Sequence, residues 1–318
     1  KMDVTNEDVV ALQARGATFT TEQTTALLTG VDLVVKNPGI PYTIPVLVAA
    51  KDAGIPIVVE VAVAQKYIRG EWIALTGSNG KTTTTEMIAA VLRTQATSDH
   101  QVVVAGNIGT PVSEVAPSLR DTDTLVTELS SFQLMGMPEA KPNIAIITNI
   151  FASHLDYHGS RENYVAAKMG ITKNQTADDY LVINYDRAEW RELAQQTAAT
   201  VVPVSRLDNS EDGAYEHDGQ LYYQGELVMA AAELGVPGDH NVENALVAIA
   251  VGKLRHVPTN DIAEALRRFT GVEHRLQFVG TFDGRQVYND SKATDIEATE
   301  MALSGFTAPV VLLAGGLD

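Results

Sequence analysis

Short apolar runs alternate along this chain with segments whose apolar residues recur every three or four positions. Trp72-Ile73-Ala74-Leu75 is a continuous apolar run, which predicts a buried strand, and Met87, Ile88, Val91 and Leu92 follow at helical spacing. Further strands are expected at 32–35, 55–59, 102–105, 124–128, 144–149 and 180–184. Helices are expected at 7–15 and 45–52, after a Ser160 cap, from a helix start capped by Asp239, and after an Asn260 cap. Strands that alternate with helices predict a parallel α/β sheet. Residues 203–230 change character: 214–217 and 220–223 flank Asp218-Gly219, the signature of a hairpin. A second hairpin is expected where 278–282 and 285–288 flank Asp283-Gly284, and 310–314 reads as a strand running into Gly315-Gly316.

A length of 318 residues suggests two or three domains with ample core material. The formal net charge of −17 argues against nucleic acid or an anionic membrane as partner. Apolar runs fall far short of the ~20 residues that span a bilayer. With no cysteine, a disulfide framework and a thiolate metal site are excluded. No signal peptide is visible at the start. These features favour a cytoplasmic enzyme, expected to be a monomer.

Between the first-named strand and helix lies Thr76-Gly77-Ser78-Asn79-Gly80-Lys81-Thr82-Thr83. A glycine-rich turn at a helix start gathers backbone N–H groups at the positive end of the dipole, which cradles phosphate. Gly77 and Gly80 permit close approach, Lys81 can reach the β- and γ-phosphates, and a Thr82 or Thr83 hydroxyl can ligate Mg²⁺. The generic phosphate loop has four residues between its glycines, and here only Ser78 and Asn79 intervene. A tight turn with a solvated lysine is the plain alternative. Glu128 ends an apolar strand, where an acid can hold Mg²⁺ over such a loop. Asn107 ends another, as a ligand or simply as a turn asparagine. His154, Asp156 and His158 read equally as a metal cluster or a polar loop. Lys168 lies on or beside an apolar helix stripe, either snorkelling to water or facing inward. Asn241 and Asn244 share a helix face suited to an adenine edge, though asparagines near helix starts are common caps. Asp290-Ser291-Lys292 and Lys36-Asn37-Pro38-Gly39-Ile40-Pro41 are, on their own, turns.

The shortened loop resembles the nucleotide loop of the Mur ligases, the ATP-dependent amide-forming enzymes of peptidoglycan synthesis. Glu128-Leu129-Ser130-Ser131-Phe132-Gln133-Leu134 is similar to a string in the members that add D-glutamate. Six motifs in family order carry the likeness across nearly all of residues 31–318. It implies an α/β multi-domain fold: a partial Rossmann-like domain for the UDP-sugar over 1–62, a central mostly parallel P-loop ATPase sheet over 63–271, and the start of a Rossmann-like acceptor domain over 272–318. It implies UDP-N-acetylmuramoyl-L-alanine and D-glutamate as substrates, with ATP and Mg²⁺. The residues matched to catalysis are Lys81, His154 and Lys168. Gly77, Ser78, Asn79, Gly80, Lys81, Thr82, Thr83, Asn241, Asn244, Arg275, Asp290 and Lys292 match nucleotide contacts, and Asn107 and Ser130 match substrate contacts. Thr82, Glu128, His154 and Lys168 match metal ligands, Lys168 as a carbamate serving a second Mg²⁺. Sister ligases, folylpolyglutamate synthase-like enzymes and a non-ligase ATPase remain as alternatives. A glycine-rich strand and turn that opens the family's first domain is absent here, and few residues follow Gly316. The expectation is a portion of a longer protein that binds ATP without ligating D-glutamate.

Overall fold

The computed structural model describes residues 6–151 and 154–293, together with 299, 302–303, 306 and 308–315. The chain divides into two compact units, residues 1–60 and 61–318.

In the first unit, α1 (Glu7–Ala14) starts at Asn6, whose side chain accepts from the Asp8 and Val9 amides. That satisfies two of the orphan donors of the first turn. Strand β1 (Val34–Lys36), helix α2 (Pro45–Asp52) and strand β2 (Ile57–Val59) follow, with β1 and β2 parallel and Val35 opposite Val58. The parallel α/β unit expected here is present. Lys36 is buried, and its ammonium donates to the carbonyls of Asn37 (3.2 Å), Pro38 (2.8 Å) and Ile40 (2.9 Å), which closes the proline-glycine turn around it.

Helix α3 (Glu60–Ala64) leads into the second unit. There the order is β3 (Glu71–Thr76), α4 (Lys81–Arg93), β4 (Val102–Gly106), α5 (Val112–Val115), β5 (Thr124–Glu128), α6 (Ser131–Met135), β6 (Ile144–Ile147), α7 (Leu155–His158), α8 (Arg161–Met169) and β7 (Tyr180–Asn184). Next come α9 (Ala188–Ala194), β8 (Thr200–Ser205), β9 (Ala214–His217), β10 (Gln220–Tyr223), β11 (Glu226–Ala230), α10 (Asp239–Leu254), α11 (Thr259–Arg268), β12 (Gln277–Phe282) and β13 (Arg285–Asn289). Nine strands form one sheet in the order β11-β10-β9-β8-β7-β6-β3-β5-β4. It is parallel from β4 to β9, and β10 alone runs against the other strands, pairing antiparallel with both β9 and β11. Strand β3 lies between β5 and β6, so later connections leave it on both sides. Sheets of this kind open a crevice at the carboxyl ends of the strands where the order reverses.

The core explains the strand pattern. Ile73, Ala74 and Leu75 of β3 and Ile144–Ile147 of β6 are buried because helices cover both faces, so these strands are apolar throughout rather than alternating. Met87, Ile88, Val91 and Leu92 turn one face of α4 into the core. Each such side chain contributes about 1.5–3 kcal/mol of burial. Helix α10 packs on α4 as well as on the sheet, and Ala245–Val251 are buried on every side. The two helices approach closely at Gly252, where an added Cβ would come 2.8 Å from Val91 Cγ1.

Several boundaries differ from expectation. Asp239 lies inside α10: the chain enters through Gly238 at φ 104°, and the Asp239 carboxylate meets Arg206 at 3.2 Å. Pro258, not Asn260, precedes α11, and Asn260 falls within the first turn. Helices α6 and α9 and strands β8 and β11 were not foreseen; α6 and α9 span fewer residues than a periodicity needs to show. Residues 310–314 form no strand. Val311 and Leu313 are exposed, and β-propensity without a partner strand makes no ladder. Gly316, where the run is expected to turn, lies outside the described residues.

Candidate functional site

The glycine turn between β3 and α4 has the geometry that a phosphate loop needs. Gly80 takes φ 78°, a left-handed value a side chain resists, and a Cβ there would meet Asn244 Oδ1 at 2.5 Å. At Gly77 a Cβ would collide with the Thr148 hydroxyl at 1.9 Å. The loop is gripped by the end of β6. Asn149 accepts the Asn79 amide at its Oδ1 (2.8 Å) and the Ser78 amide at its carbonyl (3.0 Å), while its Nδ2 donates to Asn79 O (3.1 Å). Thr148 Oγ1 donates to the same carbonyl at 2.8 Å. The N–H groups of Gly80, Thr82 and Thr83 have no backbone acceptor among the described residues. They lie at the start of a helix of 13 residues, where the dipole favours an anion. Lys81 folds back on the loop, its Nζ donating to Gly77 O (3.0 Å) and Ser78 O (2.9 Å). Asn149 and Thr148 are the participants that sequence reading missed; the sole signal was their place at the polar end of an apolar strand.

Glu128, at the carboxyl end of β5, is almost wholly buried. Its Oε2 accepts from the Thr82 hydroxyl (2.8 Å) and its Oε1 from Asn107 Nδ2 (2.9 Å). Asn107 reaches it because β4 and β5 are parallel, with Gly106 opposite Glu128. A hydroxyl and a carboxylate beside the phosphate cradle are hard oxygen donors, which suit Mg²⁺. Among the described residues no three His, Asp or Glu side chains converge as a metal cage.

Lys168 faces inward. At 2% exposure it does not snorkel; its Nζ donates to Gly77 O (2.6 Å) and lies 3.5 Å from Thr76 Oγ1. Burial pushes its pKa well below the usual lysine range; Lys81 adds repulsion, and Glu128 opposes the shift. Four residues earlier on α8, Tyr164 places its ring 4.7 Å under that ammonium. His158 is a packed core histidine: buried, its Nε2 is 3.0 Å from Ser131 Oγ, and its ring stacks on Phe132 at 5.3 Å. Burial lowers its pKa, with His154 and Lys168 adding to the effect and Asp156 opposing it. His154 sits more openly before α7 at φ 53°, its ring 5.1 Å from Phe132.

The remaining candidates divide. Asn244 lies against Gly80 and the first turn of α4, where the Thr84 hydroxyl donates to its Oδ1 at 2.9 Å. Asn241 stands behind it, accepting from Asn244 Nδ2 at 3.3 Å and donating to Pro237 O at 2.7 Å. Ser130 caps α6 in a reciprocal box with Gln133. Thr83 is buried in the first turn of α4. Arg275, Asp290 and Lys292 gather around the β12–β13 hairpin: Asp290 Oδ1 accepts the Leu276 amide (2.9 Å), and the Lys292 amide donates to His274 O (3.0 Å). None of the three makes a hydrogen bond to the phosphate loop among the described residues. Arg275 is near enough to His240, at the start of α10, to depress its pKa alongside the larger effect of burial.

Fold and loop together define a P-loop α/β protein with a parallel sheet. The Mur ligase middle domain matches residues 75–252, and the chain belongs to the Mur ligase family. The UDP-N-acetylmuramoylalanine–D-glutamate ligase of Lactiplantibacillus plantarum is 59% identical over 286 residues, 90% of this chain and 62% of that protein. The ligase of the same name from Latilactobacillus sakei subsp. sakei is 54% identical over 312 residues, 98% and 68% respectively. The chain thus spans less than two thirds of the first relative's length. In fold it is similar to MurF from Acinetobacter baumannii, with TM-score 0.61 at 23% identity over 76% of this chain and 55% of that one. MurF ligase from Thermotoga maritima, solved in complex with ADP, gives TM-score 0.61 at 17% identity over 81% and 67%. No helix of the described residues is long and apolar enough to cross a membrane.

Proposed function

We propose that this protein is the nucleotide-sugar and ATP-binding part of a cytoplasmic, monomeric ligase that adds D-glutamate to UDP-N-acetylmuramoyl-L-alanine in peptidoglycan synthesis. The supporting observation is the meeting of Lys81, the Thr82–Glu128 pair and the buried Lys168 around one phosphate cradle. The relatives' names supply the substrates, and the ADP in the Thermotoga maritima protein supplies the nucleotide class. In the reaction, a carboxylate oxygen of the muramoyl substrate takes the γ-phosphoryl group and ADP leaves. The amino group of D-glutamate then attacks the acyl carbon, phosphate departs and a proton is lost from nitrogen.

In such a transfer the protein chiefly positions the reactants and offsets charge. Lys81 would leave its loop carbonyls for the transferred phosphoryl group. The loop amides and the α4 dipole would hold the non-reacting oxygens. Thr82 and Glu128 would hold one Mg²⁺, and His154 with a carbamylated Lys168 would hold another; the metal supplies charge neutralisation. A carbamate forms only on a neutral amine, which is the form that burial favours at Lys168. Asn241, Asn244, Arg275, Asp290 and Lys292 would take the adenosine side, and Asn107 and Ser130 the muramoyl side. Measuring ADP release by the full-length protein with each Mur acceptor amino acid tests the assignment. Turnover should require UDP-N-acetylmuramoyl-L-alanine and D-glutamate together, and ATP hydrolysis indifferent to both would refute it.

A further inference from the structure

We infer that Tyr164 is a positioning residue that sets the phosphate loop through the hydroxyl of Ser78. The inference rests on the proposal that this loop binds nucleotide phosphate. Tyr164 is 1% exposed, yet its phenol oxygen lies 2.9 Å from Ser78 Oγ. The Ser78 hydroxyl also meets Phe151, lying 3.2 Å from its carbonyl and accepting its amide at 2.9 Å. Either oxygen of the Ser78–Tyr164 pair can donate, and both directions tie the phenol to the loop.

Every polar atom of Ser78 is thereby engaged. Its N–H donates to Asn149 O, its carbonyl accepts from Lys81 Nζ, and its hydroxyl is saturated by Phe151 and Tyr164. A residue held this way aims the amides that follow it. Tyr164 is itself fixed from two sides: His158 meets its ring edge-on at 5.2 Å, and Lys168 Nζ lies over its face. His158 is anchored on Ser131 of α6, the helix that follows Glu128. One turn of α8 therefore grips two successive loop residues, Gly77 through Lys168 and Ser78 through Tyr164. A phenylalanine would fill the same space, so volume alone does not account for the hydroxyl.

The test compares wild type, Tyr164→Phe, Ser78→Ala and the double variant in the full-length protein. ATP with Mg²⁺ is titrated by calorimetry, and KM and kcat are measured beside thermal melts. Tyr164→Phe should weaken ATP binding and raise the KM for ATP about three- to tenfold, the range of one hydrogen bond. The KM for the amino-acid acceptor should stay unchanged, and the double variant should be no worse than the worse single one. ATP affinity equal to wild type in Tyr164→Phe, a lowered Tm with unchanged KM, or additive losses in the double variant would each overturn it. If wild type itself binds no ATP, the functional proposal fails first and carries this inference with it.

Discussion

The Thr82 hydroxyl donates to Glu128 at 2.8 Å, joining the first turn of one helix to the end of the neighbouring strand. β3 and β5 are parallel neighbours, with Leu75 opposite Glu128, so the carboxylate emerges beside the turn that Leu75 feeds. Glu128→Gln keeps the shape and removes the charge: its amide oxygen can accept from Asn107 while its amide nitrogen donates to the Thr82 hydroxyl. We predict a loss of Mg²⁺-dependent ATP affinity on the order of tenfold or more, with a near-normal melt. Calorimetry at graded Mg²⁺ checks this, and undiminished metal dependence would remove Glu128 from the metal site.

Lys81→Ala should leave the fold intact, because α4 is held on the sheet by its apolar face of Met87, Ile88, Val91 and Leu92. Its loss should cost on the order of 3 kcal/mol at the transferred phosphoryl group, roughly a hundredfold in rate. Near-normal turnover by a folded variant of the full-length protein contradicts the role.

Lys168 should carry a carbamate, visible as a carbonyl resonance after equilibration with ¹³C-bicarbonate and absent in Lys168→Ala. Small carboxylates such as formate should partly restore the activity of that variant. The unmodified lysine also has a signed effect on stability. Its folded pKa lies below its unfolded one, so between the two values the unfolded chain binds the extra proton. Stability should rise with pH across that window, and Lys168→Met should flatten the slope. Identical pH profiles for the two proteins would contradict the burial argument.

Gly80→Ala meets two obstacles, the left-handed φ of 78° and Asn244 Oδ1 at 2.5 Å. Gly219→Ala meets only the first, at φ 73° in open space. The Gly219 variant should lose about 1–2 kcal/mol, and the Gly80 variant more than that together with ATP binding. Chemical denaturation of both separates strain from collision; equal losses would show that Asn244 moves aside without cost.

Asp123 is held by the Arg120 guanidinium and by the amides of Arg120 and Gln101, which bring its pKa down to about 2. Its contribution is therefore complete above the ordinary carboxylate range and lost as pH falls through about 2. Asp123→Asn should cost on the order of 2 kcal/mol at neutral pH, and the gap from wild type should close on acidification. A gap that is constant with pH would show that the charge plays no part.

The sequence alone determined the alternation of elements and the phosphate turn, because both are local. Trp72–Leu75 is apolar along its whole length, so it had to be a covered strand, and Gly77 and Gly80 bracket a turn few other residues could make. The strand ends carrying Asn107 and Glu128 were legible for the same reason. What the sequence left open was decided by contacts between distant residues. A lysine at position 168 would ordinarily snorkel to water, and only the packing of α8 against Gly77 shows it facing inward. His158 could have been a metal ligand until Phe132, Tyr164 and Ser131 closed around it. The contacts of Asn149 and Tyr164 could not be read locally, since their partners Asn79 and Ser78 lie 70 and 86 residues away. The apolar run at 310–314 shows the reverse limit: propensity marks a segment fit for a sheet, but a strand exists only where a neighbour accepts its hydrogen bonds.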